Sequence, residues 1–455
     1  MKYFLTLIQL WVGFLSICAS YPKANIWIIP SVESPQVYRN YAQTSKVHLE
    51  MARGEVEHIQ LVFPSKVNEE YRFTFDRYLK GIQISARELK KMNGYYDALV
   101  PFKNQLKCTD TLTAVWITVQ CPSRVPVGKY HQTIKIEGSK HFTIQLDYNV
   151  HHTTIPLKSS IPITVGVENR CMTEGLNDKE ADKERQRWVD FVLSYRMTPV
   201  FGTQITPERW QYEHSFSPWA WNDKRSIRLL NDRRYSCYML PFFTLSENEL
   251  ASLLCNIQKK GKLKESLFYI WDEPAYMEDY EQIKRKVNII RKYASDARIL
   301  TTFFCGPRNG PRKGDLYAVF DYLKHHIHVA TISLAPCKGN EEEVQHIRYK
   351  VPEGIDWWSY VCWQPGGNEP NFLLQMKGIQ QRAIMWRTWK NGSQGFLYWN
   401  CNIYHKRNPF TYITDMPHGD GILIYPGDIL GCKGPIASAR LERWRDGAEE
   451  MELLR

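Results

Sequence analysis

The sequence predicts two structural domains, an N-terminal β-sandwich followed by a (β/α)8 barrel. A chain of 455 residues is too long for one ordinary core. Short runs of alternating apolar and polar residues fill positions 21–155, whereas from residue 156 onward strand-like runs alternate with helical patterns. Hydrophobic residues at 43% and charged residues at 24% exclude extensive disorder, so both parts should fold compactly.

Residues 1–20 have the features of a secretory signal peptide. Lys2 precedes a mostly apolar run, and small residues stand near its end. We therefore expect cleavage before Tyr21 and a secreted protein. Lipoprotein anchoring at Cys18 is the alternative, but the bulky Ile17 immediately before that cysteine does not favour it. No later segment offers the roughly 18 consecutive apolar residues that a membrane-spanning helix needs, so we expect no membrane span.

The formal net charge of +11 does not indicate a nucleic-acid partner. Lys and Arg residues are spread along the chain and repeatedly stand beside Asp or Glu, instead of forming a basic stripe. A basic surface would equally suit acidic glycans or anionic membrane faces through long-range attraction. The sequence leaves the oligomeric state open.

The cysteines and histidines do not form a metal-binding pattern. Ten cysteines follow the leader, which permits disulfides in an exported chain, although buried free thiols fit their spacing nearly as well. Only Cys108 and Cys121 suggest a local bridge. His325, His326 and His328 lie where a helix ends and a strand begins, away from the functional face of a barrel. We expect no metal and no cofactor.

The β-sandwich is predicted for residues 21–155. Its strand candidates alternate in hydrophobicity, are separated by turn residues and are interrupted by no long amphipathic helix. They are 46–51, 58–63, 71–75, 114–120, 131–137 and 142–150.

The barrel is predicted for residues 156–455, because eight strand candidates alternate with helical stretches. The strand candidates are 161–168, 198–203, 235–243, 266–271, 298–304, 327–334, 356–363 and 395–402. The helical stretches are 183–196, 247–259, 278–293, 316–325, 373–390 and 439–454. Only the second connection, around 219–230, looks irregular.

Two adjacent acids follow the fourth predicted barrel strand, in Trp271-Asp272-Glu273-Pro274. Proline ends the strand because it has no N–H for the ladder, so both acids stand at the carboxyl end of the strand, where barrel enzymes place their active sites. A helix N-cap is the competing interpretation, since acids favour a helix N-terminus. Trp271 and a neighbouring aromatic rim favour catalysis instead.

Paired carboxyl groups suit cleavage of a glycosidic bond, which needs a proton donor and stabilisation of positive charge at the anomeric carbon. Adjacent acids need not straddle the sugar, so they suit a substrate-assisted reaction in which a 2-acetamido oxygen of the substrate attacks that carbon. Asp272 would then orient the acetamide, and Glu273 would act as general acid and base.

Several motifs, including the acid pair, resemble those of glycoside hydrolase family 123. They are Trp271-Asp272-Glu273-Pro274, Asp356-Trp357-Trp358-Ser359-Tyr360 with Arg382, Met385 and Trp386, Gly395-Phe396-Leu397-Tyr398-Trp399, Tyr425-Pro426-Gly427, Ser438-Ala439-Arg440-Leu441-Glu442 and Arg445-Asp446-Gly447, with Arg53-Gly54-Glu55 in the sandwich. The resemblance implies a β-N-acetylgalactosaminidase that acts by the assisted mechanism, with the family's acid pair at Asp272 and Glu273.

Aromatic residues near strand ends are the candidates for sugar binding, with Asn400 as a partner for hydroxyl groups. Alternation along a strand means that some must face away from the barrel interior, and only one of Trp357 and Trp358 can point inward. Tyr425 lies in the loop after the eighth strand and could close the rim of the pocket. The aromatic candidates are Trp271, Tyr360, Trp363, Tyr398, Trp399 and Tyr425.

Three alternatives remain open at this stage. A β-N-acetylglucosaminidase would use the same mechanism. A non-catalytic glycan-binding protein could use the same scaffold. A conventional retaining hydrolase would pair Glu273 with a distant carboxylate such as Glu168, and would accept sugars that lack the acetamide.

Overall fold

The computed structural model describes residues 26–76, 79, 81–206, 211–334, 341–404, 408–409 and 416–455. The predicted signal peptide, Cys18 and Cys337 lie outside these residues. Within the described ranges, no helix combines the length and the apolar composition needed to cross a bilayer.

Ten strands form two five-stranded sheets in the N-terminal part. They are β1 (Trp27–Pro30), β2 (Lys46–Arg53), β3 (Val56–Pro64), β4 (Glu70–Phe75), β5 (Gln83–Met92), β6 (Tyr95–Pro101), β7 (Gln105–Lys107), β8 (Leu112–Gln120), β9 (Gly128–Glu137) and β10 (His141–Thr154). One sheet has the order β1-β3-β8-β5-β6 and the other β2-β10-β9-β4-β7. Apolar residues from both sheets, such as Val119 and Ile144, share one buried core. All six predicted strands are present.

Nine strands form a nearly closed barrel in the C-terminal part. They are β11 (Ile163–Glu168), β12 (Thr198–Thr206), β13 (Gln211–Ser215), β14 (Tyr238–Met239), β15 (Ser266–Trp271), β16 (Arg298–Phe303), β17 (Val329–Ser333), β18 (Asp356–Val361) and β19 (Phe396–Tyr398). Their order is β13-β12-β11-β19-β18-β17-β16-β15-β14. Eight are the predicted parallel strands, and β13 is an antiparallel addition beside β12. A hydrogen bond of 2.6 Å from Phe216 N to Met239 O links the end of β13 to β14.

Helices surround this sheet. They are α1 (Asn169–Thr173), α2 (Asp178–Ser194), α3 (Lys224–Leu229), α4 (Glu247–Lys259), α5 (Met277–Arg291), α6 (Ala318–Leu323), α7 (Glu341–Lys350), α8 (Gly378–Lys390) and α9 (Ala439–Leu454), and β20 (Ile424–Pro426) pairs with β21 (Pro435–Ala437) before α9. The bounds of α4 and α9 are those predicted. Helix α8 begins later than predicted, and α7 was not predicted.

Two hydrophobic layers follow from strand alternation. A compact inner cluster contains strand residues such as Leu267, Leu300 and Trp358. A larger outer cluster joins strand residues such as Trp357 to apolar residues of the helices. Trp358 therefore points inward and Trp357 outward, which confirms that only one of the pair can face the interior.

Helix α9 joins the barrel to the sandwich through buried ion pairs. Arg440 contacts Asp97 of β6 at 2.9 Å, and both side chains are almost fully buried. Glu442 pairs with Arg87 of β5 at 2.6 Å and with His58 of β3 at 3.1 Å. The motif at 438–442 thus belongs to the contact between the two parts of the chain.

Cys108 and Cys121 do not form the disulfide considered from the sequence. Both are buried free cysteines. Burial raises the pKa of both thiols, that of Cys121 to about 11. They contribute to the sandwich core as small apolar side chains.

Candidate active site

Strand β15 delivers the two acids to the mouth of the barrel. All six of its residues are buried, and Asp272 and Glu273 follow directly, before Pro274. Glu273 has a φ of 47°, in the left-handed region that non-glycine residues seldom adopt. Neighbouring side chains point to opposite faces in a regular strand, so this turn lets both acids lie at one site. Backbone strain of this kind concentrates at functional sites.

Two hydroxyl groups hold Asp272. The Tyr269 hydroxyl donates to its Oδ1 at 2.9 Å, and the Thr302 hydroxyl donates to the same oxygen at 2.7 Å. Thr302 also accepts the backbone N–H of Glu273 at 3.1 Å. One buried threonine of β16 therefore fixes both acids.

Asp272 and Glu273 are both exposed at the barrel mouth, although the protein atoms around them displace part of the surrounding water. Burial raises the pKa of Asp272, and the hydrogen bonds from Thr302 and Tyr269 oppose that shift. The carboxylate is therefore placed as an acceptor with two fixed donors.

The pKa of Glu273 is raised toward neutrality. Burial, and then the negative charge of Asp272, raise its pKa to about 7, against the hydrogen bond from Tyr360 and the charge of Arg308. The hydroxyl of Tyr360, which lies on β18, donates to Glu273 Oε1. The two neighbouring acids thus have different partners, and Glu273 suits a general acid.

A cavity that opens to solvent lies beside Asp272 at the mouth of the barrel. Strands β11, β12, β13, β15 and β19 supply its walls. It is lined by Thr164, Gly166, Val167, Val200, Gly202, Tyr212, His214, Tyr269, Asp272, Leu397, Tyr398, Trp399 and Asn400. Gly166 allows this packing, since a Cβ there would lie 1.9 Å from the Trp399 carbonyl oxygen.

His214 of β13 is a cavity residue that the sequence did not reveal. Its ring stacks on Tyr269 with centroids 4.2 Å apart and planes 7° apart. Burial lowers its pKa to about 3, so the imidazole is neutral at physiological pH. Its Nδ1 is buried and has no hydrogen-bond partner among the described residues. It can therefore bond to a ligand in the cavity.

Three of the predicted sugar-binding residues, Tyr398, Trp399 and Asn400, border the cavity. Asp420 fixes two of them, accepting the Trp399 Nε1–H at 3.0 Å and the Tyr398 hydroxyl at 3.2 Å. The Tyr398 ring is fully buried and packs in the outer cluster, so only part of this residue faces the cavity.

Two other predicted sugar-binding residues, Tyr360 and Trp363, lie on and just after β18. Tyr360 is buried and bonds to Glu273 directly. Trp363 is 41% exposed and stacks on Phe304. Neither lines the cavity beside Asp272.

Two further predicted sugar-binding residues are packed inside the protein. Trp271 is buried in the outer cluster, because the pairing of β15 with β16 shifts between Tyr269 and Trp271 and changes the side that Trp271 faces. Tyr425 is fully buried and donates its hydroxyl to Asp97 at 2.6 Å, in the contact with the sandwich. Neither borders the cavity.

Sequence reasoning also missed Tyr269 and Thr302. Tyr269 lies on the inner face of β15, and Thr302 lies in β16, the next parallel strand, whose carboxyl end meets the same mouth. The position of Thr302 near the carboxyl end of the neighbouring strand is the one signal in the sequence that could have identified it.

Two carboxyl groups at the mouth of a nearly closed barrel, one of them with a pKa of about 7, are compatible with the acid chemistry of glycosidases. A sequence model described as the glycoside hydrolase 123 catalytic domain matches residues 183–455. The chain belongs to glycoside hydrolase family 123 and is a glycosidase.

Among solved structures, the chain is similar to a family 123 glycoside hydrolase from Clostridium perfringens described in a study of glycolipid glycan hydrolysis. The two share 14% identity over 94% of this chain and 87% of the other, with a TM-score of 0.65, which supports the fold. A β-galacturonidase of family 2 from Eisenbergiella tayi covers 96% of this chain and 95% of its own, at 8% identity and a TM-score of 0.39. No curated protein matches.

Proposed function

We propose that this glycosidase removes β-linked N-acetylgalactosamine from glycans by a retaining, substrate-assisted reaction. The observation that carries the proposal is that the two adjacent acids have different surroundings. Asp272 accepts two hydroxyl hydrogen bonds, whereas Glu273 has a pKa of about 7. One acid is thus suited to accept a substrate N–H and the other to give a proton.

The reacting sugar occupies the cavity beside Asp272 in this proposal. Asp272 accepts the acetamide N–H, and the acetamide oxygen bonds to the anomeric carbon as the glycosidic bond breaks. Glu273 gives its proton to the leaving oxygen. It then takes a proton from a water molecule that attacks the anomeric carbon of the oxazolinium, which restores the acetamide and retains the β configuration.

The position of Glu168 supports the assisted reaction over a conventional double displacement. This carboxyl is 3% exposed, and its Oε1 accepts the Arg170 N–H at the start of α1. Burial raises its pKa to about 7 despite that hydrogen bond. A buried carboxyl that keeps its proton near neutrality is a poor nucleophile for a sugar carbon.

N-Acetylglucosamine is the alternative substrate at the same mechanism. We also propose that the enzyme is exported through residues 1–20 and that its glycan belongs to a glycoconjugate such as a glycolipid, as described for the Clostridium perfringens enzyme. In this proposal the sandwich ends near residue 155, and the catalytic part is a (β/α)8 barrel into which β13 is inserted.

Three aryl glycosides test the proposal: β-N-acetylgalactosaminide, β-N-acetylglucosaminide and β-galactoside. Each is assayed with the wild type, Asp272→Asn and Glu273→Gln. We expect turnover of the first substrate above the second, no turnover of the plain galactoside, and severe losses in both variants. A thiazoline mimic of the cyclic intermediate should inhibit. Turnover of the plain galactoside at a comparable rate would refute substrate assistance.

A further inference from the structure

Two aromatic rings form an exposed surface at the mouth of the barrel, outside the cavity. Trp363 and Phe304 stack with centroids 6.0 Å apart and planes 16° apart. Trp363 is 41% exposed, which is unusual for an indole in a folded protein. Phe304 is partly buried and packs on the inner cluster of the barrel, which fixes the pair from below.

The loops that carry these rings also carry the partners of the acids. Phe304 lies two residues after Thr302, which bonds to Asp272 and to the Glu273 N–H. Trp363 lies three residues after Tyr360, which bonds to the Glu273 carboxyl. The aromatic pair therefore follows, along β16 and β18, the residues that bond to the two acids.

The loop after β16 is tied to the loop that carries Glu273. Arg308 N donates to Ala275 O at 2.6 Å, and Met277 N donates to Asn309 Oδ1 at 2.8 Å. Arg308 is exposed, and its charge acts on Glu273. The loop that follows β16 thus carries both Phe304 and a cationic side chain whose charge reaches Glu273.

The barrel mouth has two different sides, a cavity on one and the exposed aromatic pair on the other. The cavity is lined mainly from β19, β11, β12 and β13, together with Tyr269 of β15 and Asp272. The aromatic pair stands at the ends of β16 and β18, and spans the end of β17, which lies between them in the sheet. The hydrogen bond from Tyr360 connects Glu273, which follows β15, to the strand that carries Trp363.

This arrangement predicts how the substrate lies across the site. If the reacting sugar fills the cavity, the general acid must meet the glycosidic oxygen, and the leaving group must continue past Glu273. Aromatic faces stack on the apolar C–H faces of pyranoses, and they bury a large area for little loss of conformational freedom.

We propose that Trp363, stacked on Phe304, is a specificity-determining platform for the first sugar of the leaving group, with Arg308 as a donor to its hydroxyl groups. This inference rests on the proposed function and adds to it that the substrate is a glycan whose second residue is a pyranose. The same platform binds sugar acceptors when the oxazolinium is transferred to a sugar instead of water.

Two measurements with Trp363→Ala test the platform. The first compares kcat/KM for a β-linked N-acetylgalactosaminyl-galactose disaccharide and for methyl β-N-acetylgalactosaminide, whose leaving group is too small to stack. We expect kcat/KM for the disaccharide to fall roughly tenfold more than that for the methyl glycoside. The second measures how the intermediate divides between added galactose and water. We expect the share transferred to galactose to fall by a similar factor.

Two further variants serve as controls. Trp363→Phe keeps a stacking face and should retain most of the preference for the disaccharide. Tyr349→Ala removes an aromatic side chain that is 82% exposed on α7, and it should change neither measurement. The partition ratio is independent of the fraction of folded enzyme, so poor folding of Trp363→Ala would not obscure it.

Equal losses on both glycosides, or an unchanged partition ratio, would overturn the platform while leaving the proposed function intact. A wild-type enzyme that turns over neither N-acetylgalactosaminide would overturn the proposed function, and the platform with it.

Discussion

Replacing Thr302 by valine removes one hydroxyl group that serves both acids. Valine has nearly the same shape, so the buried site on β16 stays filled. Asp272 loses the donor at 2.7 Å, and the Glu273 N–H loses its acceptor at 3.1 Å. Tyr269 still donates to Asp272. We therefore expect a folded enzyme whose two acids are less well held.

The size of the effect follows from these contacts. A hydrogen bond to a charged group contributes about 1.5–3 kcal/mol. At about 1.36 kcal/mol for each factor of ten in rate, full loss in the transition state would lower kcat/KM about 10- to 150-fold. Because the Tyr269 donor remains, we expect the lower end, about tenfold.

The pH dependence should change in one direction. The hydrogen bond from Thr302 lowers the pKa of Asp272, so its removal raises that pKa. Asp272 must be ionised to accept the acetamide N–H, so the acidic limb of kcat/KM should move to higher pH. The assay is a pH–rate profile on an aryl β-N-acetylgalactosaminide.

Thr301→Val is the matched control for Thr302→Val. Thr301 is equally buried on the same strand, and its hydroxyl has no hydrogen-bond partner among the described residues. It should leave both the rate and the profile unchanged, and Thr302→Ser should retain most activity. Equal effects of Thr301→Val and Thr302→Val would refute the reasoning.

Three other predictions follow from the same contacts. Above a pH of about 7, kcat/KM should fall as Glu273 loses its proton, and a pH–rate profile should show no contribution from His214, whose pKa is about 3. Glu273→Gln should lower kcat/KM for alkyl glycosides far more than for aryl glycosides with acidic leaving groups, and an equal fall in kcat/KM would contradict its role as general acid. Arg440→Met should lower the free energy of unfolding in urea by about 3–5 kcal/mol, because Asp97 stays buried without its cation, and Asp97→Leu in the same chain should restore much of it. A loss below about 1 kcal/mol would contradict the importance of that pair.

The sequence predicted the parts of the fold that local patterns determine. Strand β15 has the predicted bounds because its apolar run ends at two acids and a proline. Strand β13 was missed because Gln-Tyr-Glu-His-Ser lacks the alternation of a half-buried strand, and its pairing with β12 decides its conformation. His214 was missed with it.

The candidate site likewise contains residues that the local sequence locates and residues whose positions depend on distant contacts. Asp272 and Glu273 could be located because the end of a barrel strand is visible in the sequence. The position of Trp271 could not, because a shift in strand pairing depends on the neighbouring strand. The burial of Tyr425 depends on Asp97, which lies 328 residues away in the chain. The family motif around Arg440 was recognised, but its contact with the sandwich is visible only in three dimensions.

The most direct test of the account is the dependence of rate on the acyl group of the substrate. Aryl β-N-acetylgalactosaminides are prepared with zero, one, two or three fluorines on the acetamide methyl group, and kcat/KM is measured for each. Fluorine withdraws electrons from the carbonyl oxygen and weakens it as a nucleophile. Attack by that oxygen predicts a steep, regular fall in kcat/KM with each added fluorine. A rate that stays constant across the series would contradict substrate assistance and would require the protein to supply the nucleophile.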